Sequence, residues 1–165
     1  EYTKIGANAF IFGLKNYSSG YNNEITIDDI KEIREWYSGE LFIAINKNIF
    51  NRELEELENI LIELDELNIT GIMFYDLAVL SIKNRLDLKT PLVWNQTHMV
   101  TNYNTCNYYY EKGCEYGVIS SEITLEEINE IRSKTKMKLF LNIYKLSFLY
   151  CAIMHLKMKE RIKII

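Results

Sequence analysis

The side chains best suited to chemistry in this sequence lie in polar stretches that follow apolar runs of strand length. The candidates for acid, base or ligand roles are Asp76, His98 and Glu122. The candidates for substrate binding are Asn46, Gln96, Thr97, Asn102 and Ser120. Carboxylates and imidazoles can transfer protons, while amides and hydroxyls can orient a polar substrate. Polar side chains have no packing reason to collect at the ends of several strands, so the pattern predicts a ligand site.

Some of these residues also fit a structural role. Asp76 stands directly before a predicted helix, where aspartate commonly caps the first turn. A lone histidine such as His98 is more often structural than catalytic. The sequence has no H-E-x-x-H and no G-x-S-x-G motif, and nothing indicates a lowered pKa for Cys106 or Cys114. No residue is assigned to metal binding, and the sequence leaves the catalytic nucleophile, any metal and any cofactor open.

The central stretch runs from Pro91 to Tyr103. It opens with the only proline, which is tolerated at the first residue of a strand, and continues with the apolar Leu92-Val93-Trp94. A short apolar run with such boundaries is typical of a strand buried on both faces. The polar residues after it would form a loop at the C-terminal end of that strand, where parallel α/β folds bind ligands.

Strands and helices alternate along the chain. Apolar runs predict strands at Ala9–Leu14, Leu41–Asn46, Gly71–Tyr75, Leu92–Trp94, Gly117–Ser120 and Lys138–Ile143. Apolar periodicity and capping residues predict helices after Thr26, over Arg52–Leu67, after Asp76, over Tyr103–Lys112 and after Thr124. The first of these helices would bury Ile30, Ile33 and Trp36.

One segment occurs twice in similar form. Glu24–Arg34 and Glu122–Arg132 share a Glu-Ile-Thr start, two acidic residues and the same isoleucine spacing. Both would begin a helix after a polar loop, either through an internal repeat or because amphipathic helix starts converge on similar residues.

This alternation predicts an α/β fold with parallel strands and right-handed crossovers. No G-x-G-x-x-G or P-loop pattern favours an open sheet. About six βα units fall short of the eight in a complete barrel. We therefore expect an incomplete (β/α)8 TIM-type barrel over residues 1–143, followed by a divergent apolar and basic C-terminal helix or tail over 144–165. Exposed barrel edges could support a homo-oligomer.

Composition points to an ordinary globular domain. The chain has 165 residues, of which 48% are hydrophobic, and a net charge of -4, which makes a broad nucleic-acid surface unexpected. The cysteines show no C-x-x-C spacing and are read as reduced thiols of a cytoplasmic protein. We expect no membrane association, because no apolar stretch reaches the length of about 18 residues that a span requires. No targeting segment is visible either.

Several loop segments together resemble the N-terminal barrel of peptidase family U32, the collagenase-like peptidases. They are Gly6–Gly13, Asn46, Asp76, Val100–Asn102 and Ser120–Ile128. The resemblance covers Glu1 to Asn142 and implies that the strands present are the second to the seventh of the barrel. It also implies cleavage of a peptide or protein substrate at the C-terminal ends of the strands.

The sequence departs from the family pattern at three places. Thr97 stands where the family usually has glutamine, with Gln96 one position earlier, and Ser121 stands where arginine is frequent. After the last strand the family continues with His-Gly and a cysteine-bearing signature, whereas Ile143–Leu146 lead into the tail. Some relatives are linked to hydroxylation of RNA or quinone with an iron–sulfur centre, although this sequence shows no suitable cysteine cluster. An inactive barrel fragment is a third interpretation.

Overall fold

The computed structural model describes residues 9–21, 24–96 and 100–141, together with the backbone of residues 162–164. The chain forms two compact units, residues 1–92 and 93–165. Each unit is built from strands that alternate with helices, and the polar residues of interest follow the strands.

The first unit contains four strands and three helices. The strands are β1 (Ala9–Leu14), β2 (Glu24–Ile25), β3 (Glu40–Ile45) and β4 (Gly71–Phe74). The helices are α1 (Ile27–Trp36), α2 (Leu54–Glu66) and α3 (Leu77–Leu86), with a 3₁₀ turn at Asn51–Glu53 directly before α2. The strand order is β2-β1-β3-β4, and every pair is parallel. Parallel pairing places the C-terminal ends of β1, β3 and β4 at one edge.

The core of this unit follows from its apolar runs. Leu41 to Ile45 are fully buried, as expected for a strand covered on both faces. On α2, Leu57, Leu61 and Leu64 are also fully buried at helical spacing. Leu54, at the first position of the helix, is 37% exposed.

The apolar face of α1 is shorter than predicted. Ile30 is buried, but Trp36 is 68% exposed. The helix ends at Trp36, and Tyr37 turns inward in an extended conformation, so its ring lies 4.9 Å from that of Phe10. Tyr37 therefore occupies the interior place that the helical pattern assigned to Trp36.

The second unit continues the alternation. It contains α4 (Tyr103–Glu111), β6 (Cys114–Val118), α5 (Leu125–Lys134), β7 (Lys138–Leu141) and β8 (Ile162–Ile164), while β5 (Leu92–Trp94) begins at the last residue of the first unit. The strands β6, β7 and β8 pair in parallel.

One predicted strand boundary is corrected in this unit. β6 begins at Cys114 rather than Gly117, directly after Gly113 ends α4 with a positive φ of 101°. Within the predicted C-terminal helix or tail, Ile162–Ile164 form a strand beside β7. The rest of the tail, residues 144–161 and 165, lies outside the described residues.

The alternation of helices with parallel strands confirms the predicted α/β fold class. Within the part of the chain that the structure describes, no helix combines the length and the apolar character needed to cross a bilayer. The predicted boundary between a barrel at 1–143 and a tail at 144–165 stays a prediction.

Candidate functional site

Asn46 follows β3 and holds the loop that follows β1. Its Oδ1 accepts a hydrogen bond from the Ser19 amide at 2.9 Å, and its Nδ2 donates to the Ser19 carbonyl at 2.9 Å. The side-chain amide thus pairs with one residue's backbone as a neighbouring strand would. Asn46 was predicted to bind substrate, and in this structure both of its amide groups bind the protein's own chain.

The same loop packs against the end of β1 at Gly13. A Cβ at Gly13 would lie 2.4 Å from Ser18 Oγ and 2.9 Å from Tyr21 Cβ, so a larger residue would force the loop to shift. Ser18 Oγ also donates to Glu24 Oε1 at 2.9 Å. Residues 15–21, here called the β1 loop, are therefore folded onto the strand ends of the first unit.

Asp76 is a helix cap with a second role. Its Oδ1 accepts from the Ala78 amide at 2.9 Å at the start of α3. Its Oδ2 accepts from the Ile49 amide, also at 2.9 Å, and so fixes the loop after β3. The capping role expected from the sequence is present, and both carboxylate oxygens are used by backbone donors. A catalytic role for Asp76 stays a prediction.

A cluster that the sequence did not reveal lies beside the β1 loop. The Tyr17 ring is 97% buried, and the Lys47 ammonium lies 4.6 Å from the ring centroid. Lys47 Nζ also binds Glu53 Oε1 at 2.8 Å, and this hydrogen bond lowers the pKa of Glu53. Burial, together with the nearby Glu56 carboxylate, raises the pKa of Tyr17 to about 12, so the phenol is neutral at physiological pH.

In the second unit, two candidate loops are joined through the backbone. The Ser120 amide donates to the Val100 carbonyl at 3.1 Å, which ties the end of β6 to the segment before α4. Ser120 is 98% buried, and its hydroxyl accepts from the Glu122 amide at 3.2 Å. The Glu122 side chain is exposed. Ser120 therefore shapes the turn that presents Glu122.

The remaining candidates have mixed outcomes. Asn102 caps α4 by accepting from the Thr105 amide at 2.9 Å. Gln96 is half-buried two residues after β5. Thr97 and His98 lie outside the described residues. The expectation that all these side chains surround one common mouth stays a prediction.

The described cysteines do not fit an iron–sulfur centre. Cys106 and Cys114 are both buried, and burial raises the pKa of the Cys106 thiol to about 11. Among residues 9–21, 24–96 and 100–141, no three His, Cys, Asp or Glu side chains are grouped so that they could hold a metal ion. The described strand-end residues can hydrogen-bond a polar ligand, and their carboxylates and Lys47 can attract charged groups.

Sequence reasoning missed the contacts that join distant segments. The Asn46–Ser19 pair spans 27 positions, and no local motif reports it. Gly13 gives only a weak indication, because a glycine within a strand can mark a close approach of other atoms.

The comparison with protein families decides the relationship. The model of peptidase family U32 matches residues 1–147. The chain belongs to peptidase family U32. The resemblance predicted from the loop residues is thereby confirmed.

Curated relatives carry two kinds of name. The chain is 26% identical over 148 residues to tRNA hydroxylation protein P2 of Bacillus subtilis, covering 88% of this chain and 48% of that protein. It is 23% identical over 138 residues to tRNA hydroxylation protein P1 of the same organism, covering 81% and 33%. It is also 26% identical over 136 residues to an uncharacterized protease of Methanocaldococcus jannaschii, covering 79% and 32%. The chain spans about half or less of the length of these relatives.

A solved structure supports the fold. The chain matches the structure of a U32 peptidase with a TM-score of 0.67 at 10% identity, over 93% of this chain and 72% of that one. At this identity the likeness shows the fold alone, and it is consistent with the predicted incomplete barrel.

Proposed function

We propose that this U32 protein takes part in tRNA hydroxylation, and that the chain described here contributes substrate contacts. This proposal rests on the similarity over 88% of the chain to tRNA hydroxylation protein P2 of Bacillus subtilis. The similarity to protein P1 of the same organism supports the same proposal. A cytoplasmic location, expected from the cysteines, fits a tRNA substrate.

The described site favours binding over hydrolysis. Peptide cleavage needs an activated nucleophile or a metal-bound water. In the described ranges, Cys106 is a protonated thiol, Ser120 accepts a hydrogen bond within its own turn, and Asp76 binds two backbone amides. The exposed Glu122 carboxylate can accept a hydrogen bond from a polar substrate. The described residues do not form a site for an iron–sulfur centre.

Complementation tests this proposal. The full-length protein is expressed in a Bacillus subtilis strain that lacks both tRNA hydroxylation proteins, and tRNA nucleosides are measured by mass spectrometry for the gain of one oxygen atom. We expect the hydroxylated nucleoside to reappear. Glu122→Gln should lower its amount, while the matched variant Glu126→Gln, exposed in the first turn of α5, should not. An accumulated wild-type protein that restores no hydroxylation would refute the proposal.

Peptide hydrolysis is the second candidate. The name of the Methanocaldococcus jannaschii relative, an uncharacterized protease, favours it. The resemblance noted in the sequence also implies a peptidase. Incubation of the purified full-length protein with gelatin and unstructured peptides tests it. Cleavage that is lost in Glu122→Gln and Asn102→Ala would support a hydrolytic site at the strand ends. Normal cleavage by both variants would show that the site assignment is wrong.

A further inference from the structure

A groove runs along the surface of the first unit between α2 and α3. It has a volume of about 780 Å³ and is lined by residues from both helices, among them Leu54, Glu55 and Glu58 of α2 and Ile82 and Arg85 of α3. Ile49, in the loop after β3, also lines it. The groove therefore lies in the helix layer, and it is distinct from the contact between Asn46 and the β1 loop.

Large apolar side chains in this groove and next to it in the sequence face solvent. Phe50 is 59% exposed, Leu77 is 52% exposed and Leu54 is 37% exposed. Leu54 lines the groove itself. Phe50 and Leu77 are neighbours in the sequence of residues that line it. Single exposed apolar residues are common on protein surfaces, but several around one groove are typical of a binding surface.

The charges of the groove are mostly negative. Its lining contains Glu55, Glu58 and Asp76 against Arg85 as the basic residue. Arg85 is paired with Glu58 at 2.5 Å, and both oxygens of Asp76 accept backbone amides. Glu55 forms no ion pair with any side chain in the described parts of the chain. The helix α2 contains no lysine or arginine, and the guanidinium of Arg52, in the turn before it, lies 5.3 Å from the centroid of the Phe50 ring.

We propose that this α2–α3 groove binds a basic amphipathic segment of a partner protein. Apolar side chains of the segment contact Phe50, Leu54 and Leu77, and a lysine or arginine pairs with Glu55. An amphipathic helix laid into a groove is a common mode of peptide recognition. The negative groove attracts a basic segment and repels an acidic one, which gives the choice of partner its specificity. This proposal does not depend on the reaction that the protein catalyses.

Two labelled helical peptides of equal length test the proposal with the full-length protein. One combines leucine with lysine, and the other combines leucine with glutamate at the same positions. Fluorescence anisotropy should show binding of the lysine peptide only. Leu77→Ser and Glu55→Lys should each weaken that binding about tenfold or more. Both positions are exposed, so circular dichroism should show an unchanged fold.

Matched variants separate this groove from general attraction to an acidic protein. Trp36→Ser changes an exposed apolar residue of α1, and Glu126→Lys adds the same charge on α5. Both should bind the lysine peptide like the unchanged protein. Equal weakening by Glu126→Lys, or an unchanged affinity in Leu77→Ser, would overturn the proposal. So would a homodimer that Leu77→Ser dissociates, or full-length protein that binds neither peptide.

Discussion

Asn46 and Asp76 direct their polar atoms at the protein's own backbone. Asn46 pairs with both backbone groups of Ser19, and Asp76 accepts from Ala78 and Ile49. A ligand would have to compete with these hydrogen bonds. At the scale of single residues, both side chains therefore act first to hold the loops that follow β1 and β3 in place.

Asp76→Asn tests this role. Asparagine keeps one acceptor oxygen but places an amino group against a backbone amide, so one donor loses its partner. We expect the free energy of unfolding to fall by about 1–2 kcal/mol in urea denaturation. Asp28→Asn is the control, because Asp28 is exposed and forms only an i,i+3 pair with Lys31. An equal effect of the two substitutions would contradict the fastening role.

Asn46→Asp should loosen the β1 loop. The new carboxylate keeps an acceptor for the Ser19 amide but repels the Ser19 carbonyl, which Nδ2 had bound. Amide hydrogen exchange over residues 17–20 should accelerate about tenfold or more while the core strands stay protected. The exposed Asn48 offers the control Asn48→Asp. Unchanged exchange in the Asn46 variant would show that other contacts hold the loop.

At the scale of elements, the ends of β1 and β3 are shaped around the β1 loop. Gly13 lies opposite Ala44 in the parallel register, so two small residues share one face of the sheet. Ser18 and Tyr21 fill the space that a larger side chain at Gly13 would need. The small residues therefore set how closely the loop approaches the strand ends.

Comparison of Gly13→Ala with Gly117→Ala tests this packing. At Gly13 the new Cβ would meet Ser18 and Tyr21 near their backbone, and we expect a loss of about 1–3 kcal/mol with faster proteolysis of the loop. At Gly117 it would lie 2.6 Å from the Sδ atom of Met137, a flexible side chain that can shift. In urea denaturation, the free energy of unfolding should fall less in Gly117→Ala than in Gly13→Ala. Equal losses would show that the β1 loop shifts as easily as the Met137 side chain.

The sequence predicted elements that depend on near neighbours. Thr26 and Thr124 begin helices with full capping boxes, and the run Leu41–Ile45 is a buried strand. These signals lie within a few residues of one another. The burial of Tyr17 and the bond from Asn46 to Ser19 depend on which strand lies beside which, so no local pattern contains them. The same holds for the start of β6 at Cys114, where periodicity over a short run is ambiguous.

At the scale of the whole molecule, stability should decrease in alkaline solution. The pKa of Cys106 is raised from 9.0 to about 11 by burial, so the unfolded chain loses this proton first. The free energy of unfolding should fall as the pH rises from about 9 to about 11, because only the unfolded state gains from ionisation. Cys106→Ala should show a weaker fall in urea denaturation over that range. The raised pKa of Tyr17 acts in the same direction.

Thiol labelling gives an independent check of this prediction. At mildly alkaline pH the folded protein should react at Cys106 about a hundredfold more slowly than a free thiol, because the thiolate is the reactive species. Denaturant should abolish the difference. Rapid labelling of folded protein would contradict a buried, protonated Cys106.

The two threonine caps have a consequence for protein engineering. Thr26 and Thr124 bind the amides of Asp29 and Glu127 at 3.2 and 3.3 Å, and each of these acidic side chains binds back to its threonine amide. The two helix starts thus have the same capping geometry, although they lie in different halves of the chain. They can serve as junctions for exchanging βα segments among U32 proteins, because a segment that begins at the threonine carries both residues of its helix cap.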